Sequence, residues 1–328
     1  AAAARRAIVA IAAGAAHSAA VGADGTLFSW GSGSGGQCGR LDDVWTPLPL
    51  ELGRSSWSTP RESERERERL GLGVDASLSP GENGDGAVSV ACGWQHSVVL
   101  TASGRLFSWG SGCATRCSGP SVLGYDDAAR GVRPTPLEID SRAFDGGRVE
   151  GIACGWDHTV ARVSVAITAS EKANGGAAAT ATRGCVYAWG AGLGGRLGLG
   201  THDDCVTPRR VTEGGLADTD VVFVAAGATR TVALTRDGGT YIWGSARSTA
   251  MGLPNGAAAA SAAAAAPAKS LTRDCALRPT ALRVLLRHSG HALCAAVGGD
   301  HLVVVATAPI VASPAPLLRD ALAPSPPT

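Results

Sequence analysis

The sequence predicts an all-β fold, a β-propeller of four-stranded blades with four complete repeat units plus a half unit. Three observations predict it. A phrase of the form Gly-x-x-His recurs along the chain, a Trp-Gly pair follows it at a regular distance, and a proline-containing strand ends the unit. A fixed internal period indicates a repeat architecture, and four short strands per repeat are typical of a propeller blade. Because the fifth unit stops before its Trp-Gly pair, we expect an incomplete or open ring.

The glycine-histidine phrase opens each unit, directly after a run of small apolar residues that reads as a strand. Its first residues are Gly14, Gly93, Gly155, Gly227 and Gly298, and its fourth residues are His17, His96, His158, Arg230 and His301. Residues that recur once per blade usually have the same structural role in each blade. We therefore predict that these histidines make structural contacts between blades rather than an array of active sites.

The Trp-Gly pair marks the third strand of each complete unit. Trp30, Trp109 and Trp243 each lie 16 residues after the phrase glycine, whereas Trp189 lies 34 residues after it, an insertion of 34 − 16 = 18 residues. A glycine five residues before each Trp, as in Asp24-Gly25, is typical of a hairpin turn, because glycine adopts positive φ without steric cost. The residues between turn and Trp alternate polar and apolar, as in a half-buried strand.

The fourth strand of each unit is predicted to begin at a proline. The four positions are Pro47, Pro136, Pro208 and Pro279. Proline suits the first residue or the edge of a strand, where no N–H of the ladder is lost.

Together these features resemble the regulator-of-chromosome-condensation repeat. The shared pattern is Gly-x-x-His-(Ser/Thr), then Asp-Gly-x-x-(Phe/Tyr)-x-Trp-Gly, then Gly-Gln-x-Gly and a proline strand, with a near-consensus copy from Ala12 to Gly39. The resemblance covers residues 8–306 and implies a propeller, in a family whose rings have seven blades. It says less about function, because one fold hosts many functions.

The predicted domain, residues 8–306, divides into units at about 8–52, 88–139, 149–211, 221–284 and 292–306. A charged insertion spans 53–87, an alanine-rich insertion spans 256–270, and a Pro/Ala-rich tail spans 307–328. We expect the tail to be disordered, because it cannot bury enough apolar surface to offset its ordering entropy. The missing blades and the single methionine, Met251, lead us to interpret the sequence as a fragment, an incomplete gene model or a chain matured by cleavage.

Composition narrows the classes of function. The 29 basic and 28 acidic residues give a net charge of +1, which argues against general nucleic-acid binding through a basic surface. No unbroken run of eighteen apolar residues occurs, so no membrane span is expected. Cys92 and Cys154 occupy a repeat position that alanine fills elsewhere, which indicates small packing residues in a reducing compartment, the cytoplasm or nucleus.

Two glycine motifs, at 31–36 and 190–195, match the dinucleotide-binding pattern Gly-x-Gly-x-x-Gly. That pattern requires a helix directly afterwards, so that the helix N-terminus meets the pyrophosphate. Glycines and prolines follow here instead, so we interpret both motifs as loops of the repeat. We predict no catalytic, cofactor-binding or metal-binding residues, and therefore a protein that is not an enzyme.

Candidate partner-binding residues fall in the turns and loops of the units. They are Trp94 and Trp156 in two copies of the phrase, and the carboxylate pairs Asp42-Asp43, Asp126-Asp127 and Asp203-Asp204. Tryptophan commonly anchors protein interfaces. The Asp residues have two open interpretations, turn capping or an acidic rim that attracts a basic partner.

The segments around Trp94 and Trp156 also resemble the Gly-Trp-Arg-His-Thr repeats of the plant UV-B photoreceptors. In those proteins stacked tryptophans absorb light and neighbouring arginines hold a dimer. Here Gln95 and Asp157 stand at the arginine positions.

The sequence therefore predicts a non-catalytic protein-interaction propeller. Resemblance to the secretion-regulating guanine-nucleotide exchange factors of the family implies regulation of a small GTPase, which would be the protein partner. The alternatives are a UV-B light sensor that uses the tryptophans of the propeller face, or a scaffold in ubiquitin or membrane-traffic assemblies.

Overall fold

The all-β prediction is confirmed by a computed structural model, which describes residues 7–52, 85–112, 122–125, 131–167, 182–245, 275–281, 292–297 and 302–306. These residues form four antiparallel sheets of four strands and one sheet of two strands. The only helical pieces in these ranges are short 3₁₀ turns. Residues outside them include the alanine-rich insertion, the tail, Asp126, Asp127, Gly298 and His301.

Each sheet is one blade, and its strands follow chain order. Blade 1 contains β1 (Ile8–Ala13), β2 (His17–Gly22), β3 (Leu27–Gly31) and β4 (Val44–Leu50). Blade 2 contains β5 (Ala87–Cys92), β6 (His96–Thr101), β7 (Leu106–Ser111) and β8 (Val132–Glu138). Blade 3 contains β9 (Arg148–Cys154), β10 (His158–Ala166), β11 (Thr182–Gly190) and β12 (Cys205–Arg210). Blade 4 contains β13 (Val221–Ala226), β14 (Arg230–Thr235), β15 (Thr240–Ser245) and β16 (Cys275–Ala281), and blade 5 contains β17 (Ala292–Val297) and β18 (Leu302–Ala306).

The blades pack side by side in chain order. The first two strands of each blade contact the first strand of the next: β1 and β2 contact β5, β5 and β6 contact β9, and the pattern continues to β17. Within the described residues the sheets form an open arc rather than a closed ring.

The hydrophobic core lies between blades rather than within them. Val21 and Leu27 of blade 1, for example, pack with Ala87 and Val90 of blade 2, and two further clusters occupy the next junctions along the arc. Because a single thin sheet cannot bury its own apolar faces, each blade depends on its neighbours for stability.

The fourth strands begin earlier than the sequence predicts. β4 starts at Val44, so the prediction that Pro47 is its first residue was wrong. Ser29 pairs with Leu48 but Gly31 pairs with Val44, so the register shifts and Pro47 lies in a bulge of an edge strand. Equivalent shifts occur in β8, β12 and β16. A bulge on an edge strand needs no ladder N–H from proline, which is why the strand continues through it.

The phrase glycine is required by a close approach between blades. A Cβ added at Gly93 would collide with ring carbon Cε1 of His96 and lie 2.7 Å from the carbonyl oxygen of Gly155 in the next blade. The same two kinds of atom surround Gly14 and Gly155. The spacing of glycine and histidine in the phrase therefore records one packing arrangement, repeated at successive junctions.

This arrangement predicts that Gly93→Ala destabilises the chain by about 1–3 kcal/mol or more, because neither the ring nor the carbonyl has room to move. Gly151→Ala is the matched control, since its added Cβ would meet only ordinary contacts, the nearest being Cβ of Arg162 at 3.5 Å. Urea unfolding of both variants and the unsubstituted chain measures the difference. Equal losses of unfolding free energy in the two variants would contradict the packing argument.

Candidate functional site

The turns and loops at one end of the strands form a common surface, which we call the loop face. Because successive strands are antiparallel, the β1–β2 turn and the β3–β4 loop lie at the same end of a blade, and equivalent connections repeat in the other blades. Among the described residues, this face carries all the candidate partner-binding positions: Trp94, Trp156, Asp42, Asp43, Asp203 and Asp204.

A repeated hydrogen-bond chain, which we call the histidine relay, supports the loop face. Nε2 of each phrase histidine in the described residues bonds a hydroxyl on the second strand of the next blade: His17 to Ser97 at 2.8 Å, His96 to Thr159 at 3.0 Å and His158 to Thr231 at 3.0 Å. Each hydroxyl in turn donates to a loop carbonyl of the histidine's own blade: Gln37 at 2.9 Å, Val122 at 3.5 Å and Arg196 at 2.9 Å. The relay therefore joins neighbouring blades twice at each junction.

The relay fixes the protonation state of the rings. A carbonyl only accepts hydrogen bonds, so the single hydroxyl proton is used by the carbonyl, and Nε2 must donate to the hydroxyl oxygen. The neutral ring then has a bare Nδ1, and in all three histidines Nδ1 is a buried atom without a hydrogen-bond partner. A second proton would place an N–H there with nothing to accept it.

Burial reinforces this preference for the neutral ring. Desolvation lowers the pKa of His17 to about 4 and that of His96 to about 3. The pKa of His158 is also well below its ordinary value, through burial and then through the charge of Arg196. The three rings are at most 3% exposed. The rings therefore have almost no contact with solvent.

The fourth junction differs from the other three. Arg230 takes the place of the histidine and is fully buried. At the matching position of the next blade, Leu302 takes the place of the hydroxyl residue. The donor and its expected acceptor thus change together, which identifies the blade 4–blade 5 junction as a variant of the relay.

Trp94 and Trp156 form an aromatic pair on the loop face. Their ring centroids are 4.7 Å apart with an interplanar angle of 64°, an edge-to-face arrangement. The backbone N–H of Trp94 donates to the carbonyl oxygen of Trp156 at 3.1 Å, so the pairing is tied to the junction between blades. Trp156 remains 47% exposed. Sequence placed the two residues in neighbouring units, but only the blade packing shows their contact.

The residues beside the aromatic pair are engaged within the chain. Asp157 Oδ2 lies 3.5 Å from a terminal guanidinium nitrogen of Arg196, and both side chains are largely buried. Nε of Arg196 also donates to the carbonyl oxygen of Leu193 at 2.8 Å. The photoreceptor repeats have arginine at the position of Asp157. In this chain Asp157 instead forms an ion pair with Arg196 of the same chain.

The members of each described carboxylate pair differ. Asp43 accepts a hydrogen bond from the backbone N–H of Gly33 at 2.9 Å, and Asp204 accepts one from Gly192 at 2.7 Å. These second residues close their loops. All four residues are exposed, so the members of a pair differ in hydrogen bonding and not in exposure. Asp126 and Asp127 lie outside the described residues.

Other kinds of site are not found in the part of the chain that the structure describes. No group of three or more His, Cys, Asp or Glu side chains is arranged to hold a metal ion there. The motif at 190–195 ends in a 3₁₀ turn at Leu193–Gly195, and the next regular element is β12. None of the helical segments in these ranges has the length and apolar character of a membrane-crossing helix.

Family comparisons agree with this architecture. Models of the regulator of chromosome condensation (RCC1) repeat match residues 183–234 and residues 8–37 and 87–114. The last two segments contain the phrases at Gly14 and Gly93, with their relay histidines. The chain belongs to the RCC1-repeat β-propellers. RCC1-repeat propellers bind or regulate small GTPases or act in other roles, and most are exchange factors or binding proteins without catalytic activity.

Curated relatives include proteins of different activity. The Ultraviolet-B receptor UVR8 of Arabidopsis thaliana is 30% identical over 249 residues, which are 76% of this chain and 44% of the receptor. The human E3 ubiquitin-protein ligase HERC2 is 31% identical over 228 residues, which are 70% of this chain and 4% of the ligase. The chain therefore spans less than half the length of these two relatives.

Among solved structures, human WBSCR16 is similar in fold. The TM-score is 0.59 at 23% sequence identity, and the match covers 92% of this chain and 60% of that one. At this level of identity the similarity establishes the fold alone.

The relay predicts a loss of stability in mild acid. The folded-state pKa values of His17 and His96, about 4 and about 3, lie below the ordinary value of 6.5, so the unfolded chain takes up protons first. Their contribution to stability is complete above pH 6.5 and is lost as the pH falls toward those folded values. Between pH 6.5 and those folded values, each histidine lowers the unfolding free energy by up to about 1.4 kcal/mol for each unit that the pH falls.

Urea unfolding between about pH 7 and pH 5 measures this slope. His96→Gln removes one titrating ring but keeps an N–H donor, so its slope should be smaller by up to about 1.4 kcal/mol per pH unit. An unfolding free energy that stays constant over this range in the unsubstituted chain would show that the rings are not buried in the neutral state.

Proposed function

We propose that this chain is a non-catalytic protein-interaction propeller, and that a protein partner binds its loop face through Trp94 and Trp156. The observation that carries the proposal is the edge-to-face contact of these rings, of which Trp156 is 47% exposed and Trp94 is partly exposed. Solvent-accessible aromatic residues are typical of interface hot spots, where a few side chains supply most of the binding energy.

Hydrogen bonds to the neighbouring blade hold the turn that carries Trp94 in place. Trp94 lies between Gly93 and His96 in its turn, and His96 is fixed by its bond to Thr159 of the neighbouring blade. The backbone bond from Trp94 to Trp156 joins the same two blades. A partner therefore meets an ordered surface and loses little affinity to its ordering.

Exposed carboxylates elsewhere on the loop face favour a basic partner surface. Asp42 and Asp203 are exposed on the loop face, in equivalent loops of blades 1 and 3. Carboxylates at the rim of an interface attract positively charged partners over a distance and increase the association rate.

Within this role we propose a small GTPase as the partner, with nucleotide exchange as the outcome. Exchange requires no nucleophile or metal of the propeller's own. Preferential binding of the nucleotide-free GTPase shifts the population toward that state and displaces the nucleotide. Membership of the RCC1-repeat propellers supports this proposal, and the cytoplasm or nucleus would be its place of action.

The aromatic pair also favours a second candidate, a UV-B sensor. Two indoles at 4.7 Å can share excitation, and the similarity to UVR8 covers 76% of this chain. A change in molecular mass on size-exclusion chromatography after UV-B irradiation would support this function. An unchanged elution profile would reject it.

For the primary proposal, Trp94→Ala and Trp156→Ala should each weaken partner binding by about tenfold or more, because each removes a hot-spot ring. Trp45→Ala is the matched control, since Trp45 is 85% exposed on the outer strand β4 and belongs to no aromatic pair in the described residues. Affinity capture from native lysate, with and without EDTA to strip nucleotide, identifies the partner, and titration of that purified protein measures the affinities.

Enrichment of a small GTPase only after EDTA treatment, together with faster release of its bound nucleotide, is the expected result. A ubiquitin-pathway or membrane-traffic partner that is indifferent to EDTA would instead indicate a scaffold. Equal binding by all three Trp variants and the unsubstituted chain would contradict a role for the aromatic pair.

The carboxylate pairs allow a separate prediction. Asp42→Asn with Asp203→Asn should slow association at low salt and weaken its salt dependence, with little change in the melting temperature, because the loop-closing backbone hydrogen bonds go to Asp43 and Asp204 instead. Asp43→Asn with Asp204→Asn should lower the melting temperature, because a neutral amide oxygen replaces the charged oxygen that accepts each backbone N–H bond. Stopped-flow binding and thermal unfolding distinguish the two pairs, and unchanged salt dependence in the first variant would exclude the acidic rim.

A further inference from the structure

Arg196 connects the β11–β12 loop of blade 3 to the turn that carries Trp156. Its side chain is buried. Nε donates to the carbonyl oxygen of Leu193 at 2.8 Å, within the loop, and a terminal guanidinium nitrogen lies 3.5 Å from Oδ2 of Asp157. Asp157 directly follows Trp156 in the turn. One guanidinium group therefore contacts both the loop and the turn.

The backbone of Arg196 is part of the histidine relay. Its carbonyl oxygen accepts the hydroxyl proton of Thr231 in blade 4 at 2.9 Å, and that hydroxyl is bonded to Nε2 of His158 at 3.0 Å. Trp156, Asp157 and His158 are consecutive in the chain. The side chain of Arg196 thus holds this turn from within blade 3, and its carbonyl holds the turn through the hydroxyl of blade 4.

The ion pair of Asp157 with Arg196 is an addition to the repeat rather than a part of it. The third residues of the phrase in the four complete units are Ala16, Gln95, Asp157 and Thr229. Only blade 3 among these units places a charge there. The relay carbonyls of blades 1 and 2 come from uncharged residues, Gln37 and Val122. The charged pair therefore occurs in the blade that supplies the more exposed ring of the aromatic pair.

The backbone of Trp156 is also bonded to both neighbouring blades. Its N–H donates to the carbonyl oxygen of Ala228 at 3.3 Å, and its carbonyl oxygen accepts from the N–H of Trp94 at 3.1 Å. Without the guanidinium beside it, the largely buried carboxylate of Asp157 would lose its compensating charge and turn toward water. Because Asp157 follows Trp156 directly, that movement would change the angle of the Trp156 ring against Trp94.

We propose that Arg196 is a positioning residue, which holds Trp156 in its edge-to-face contact with Trp94. The proposal deepens the proposed function and rests on it, because a partner that binds through both rings then depends on a buried side chain beside them. The arrangement of the rings can itself be measured without a partner.

Circular dichroism of the purified chain measures this arrangement, because two indoles in contact at a fixed angle give an exciton couplet. The difference between the spectra of the unsubstituted chain and Trp94→Phe isolates the couplet from the signals of the other tryptophans. Arg196→Gln should lose most of the couplet although both rings are present. Arg196→Lys keeps the charge beside Asp157 but not the planar fork that reaches two acceptors, so its couplet should be intermediate.

Arg162→Gln is the matched control. Arg162 forms an ion pair in the same blade, with Nη2 at 2.7 Å from Oε2 of Glu150, and neither residue belongs to the phrase. Both Gln variants should lower the melting temperature, because each leaves a carboxylate without its cation. Only Arg196→Gln should change the couplet. If Arg196→Gln does not fold, Arg196→Lys gives the comparison. A full couplet in the Arg196 variants that fold would overturn the proposal, as would an equal loss in Arg162→Gln.

Partner binding separates this inference from the proposed function. Arg196→Gln should weaken binding of the protein captured in the EDTA experiment about tenfold, as Trp156→Ala should. Normal binding by Trp156→Ala would reject the role of the rings in binding but would not alter the couplet. A full couplet in the Arg196 variants would reject the positioning role while leaving the binding role of the rings intact.

Discussion

The fold depends on one repeated hydrogen bond, from the imidazole of each of the first three blades to a hydroxyl of the next blade. It needs glycine three residues before the histidine, because the ring and a neighbouring carbonyl occupy the space of a Cβ. It needs serine or threonine on the next blade, because the hydroxyl must both accept from the ring and donate to a loop carbonyl. It also needs a neutral ring, which burial enforces. This one contact thereby constrains the phrase glycine, the histidine, the hydroxyl residue and the loop that supplies the carbonyl.

The same contact separates structure from function in the phrase. Glycine and histidine face the junction between blades, so their identity is fixed by packing. The two residues between them lie in the turn on the loop face and are free to vary, from Ala15-Ala16 to Trp94-Gln95 and Trp156-Asp157. A propeller can acquire a new binding surface by changing these residues while leaving its junctions intact, which is consistent with the range of activities among its relatives.

The features of the fold that repeat along the chain could be predicted from the sequence. The phrase, the turn glycines and the Trp-Gly pairs have fixed spacing, so the all-β propeller class followed from them. The relay hydroxyl was also within reach, because Ser18, Ser97, Thr159 and Thr231 each follow the phrase directly. The proline bulge could not be predicted from the sequence, because it depends on the pairing register of two strands. The contact of Trp94 with Trp156 and the different bonding of Asp42 and Asp43 depend on distances across blades and loops, which no local pattern contains.

The bulged prolines on the outer strands also limit how sheets of this kind can grow. β4, β8, β12 and β16 are the outer edges of their blades, and each carries a proline where its ladder is interrupted. An incoming strand would find neither a continuous row of N–H donors nor a flat edge to pair with. The outer rim is thus protected against cross-β stacking even though the outermost strand of each four-stranded blade has one unpaired edge. Chains that meet at this rim would therefore contact each other through side chains rather than through backbone hydrogen bonds between strands.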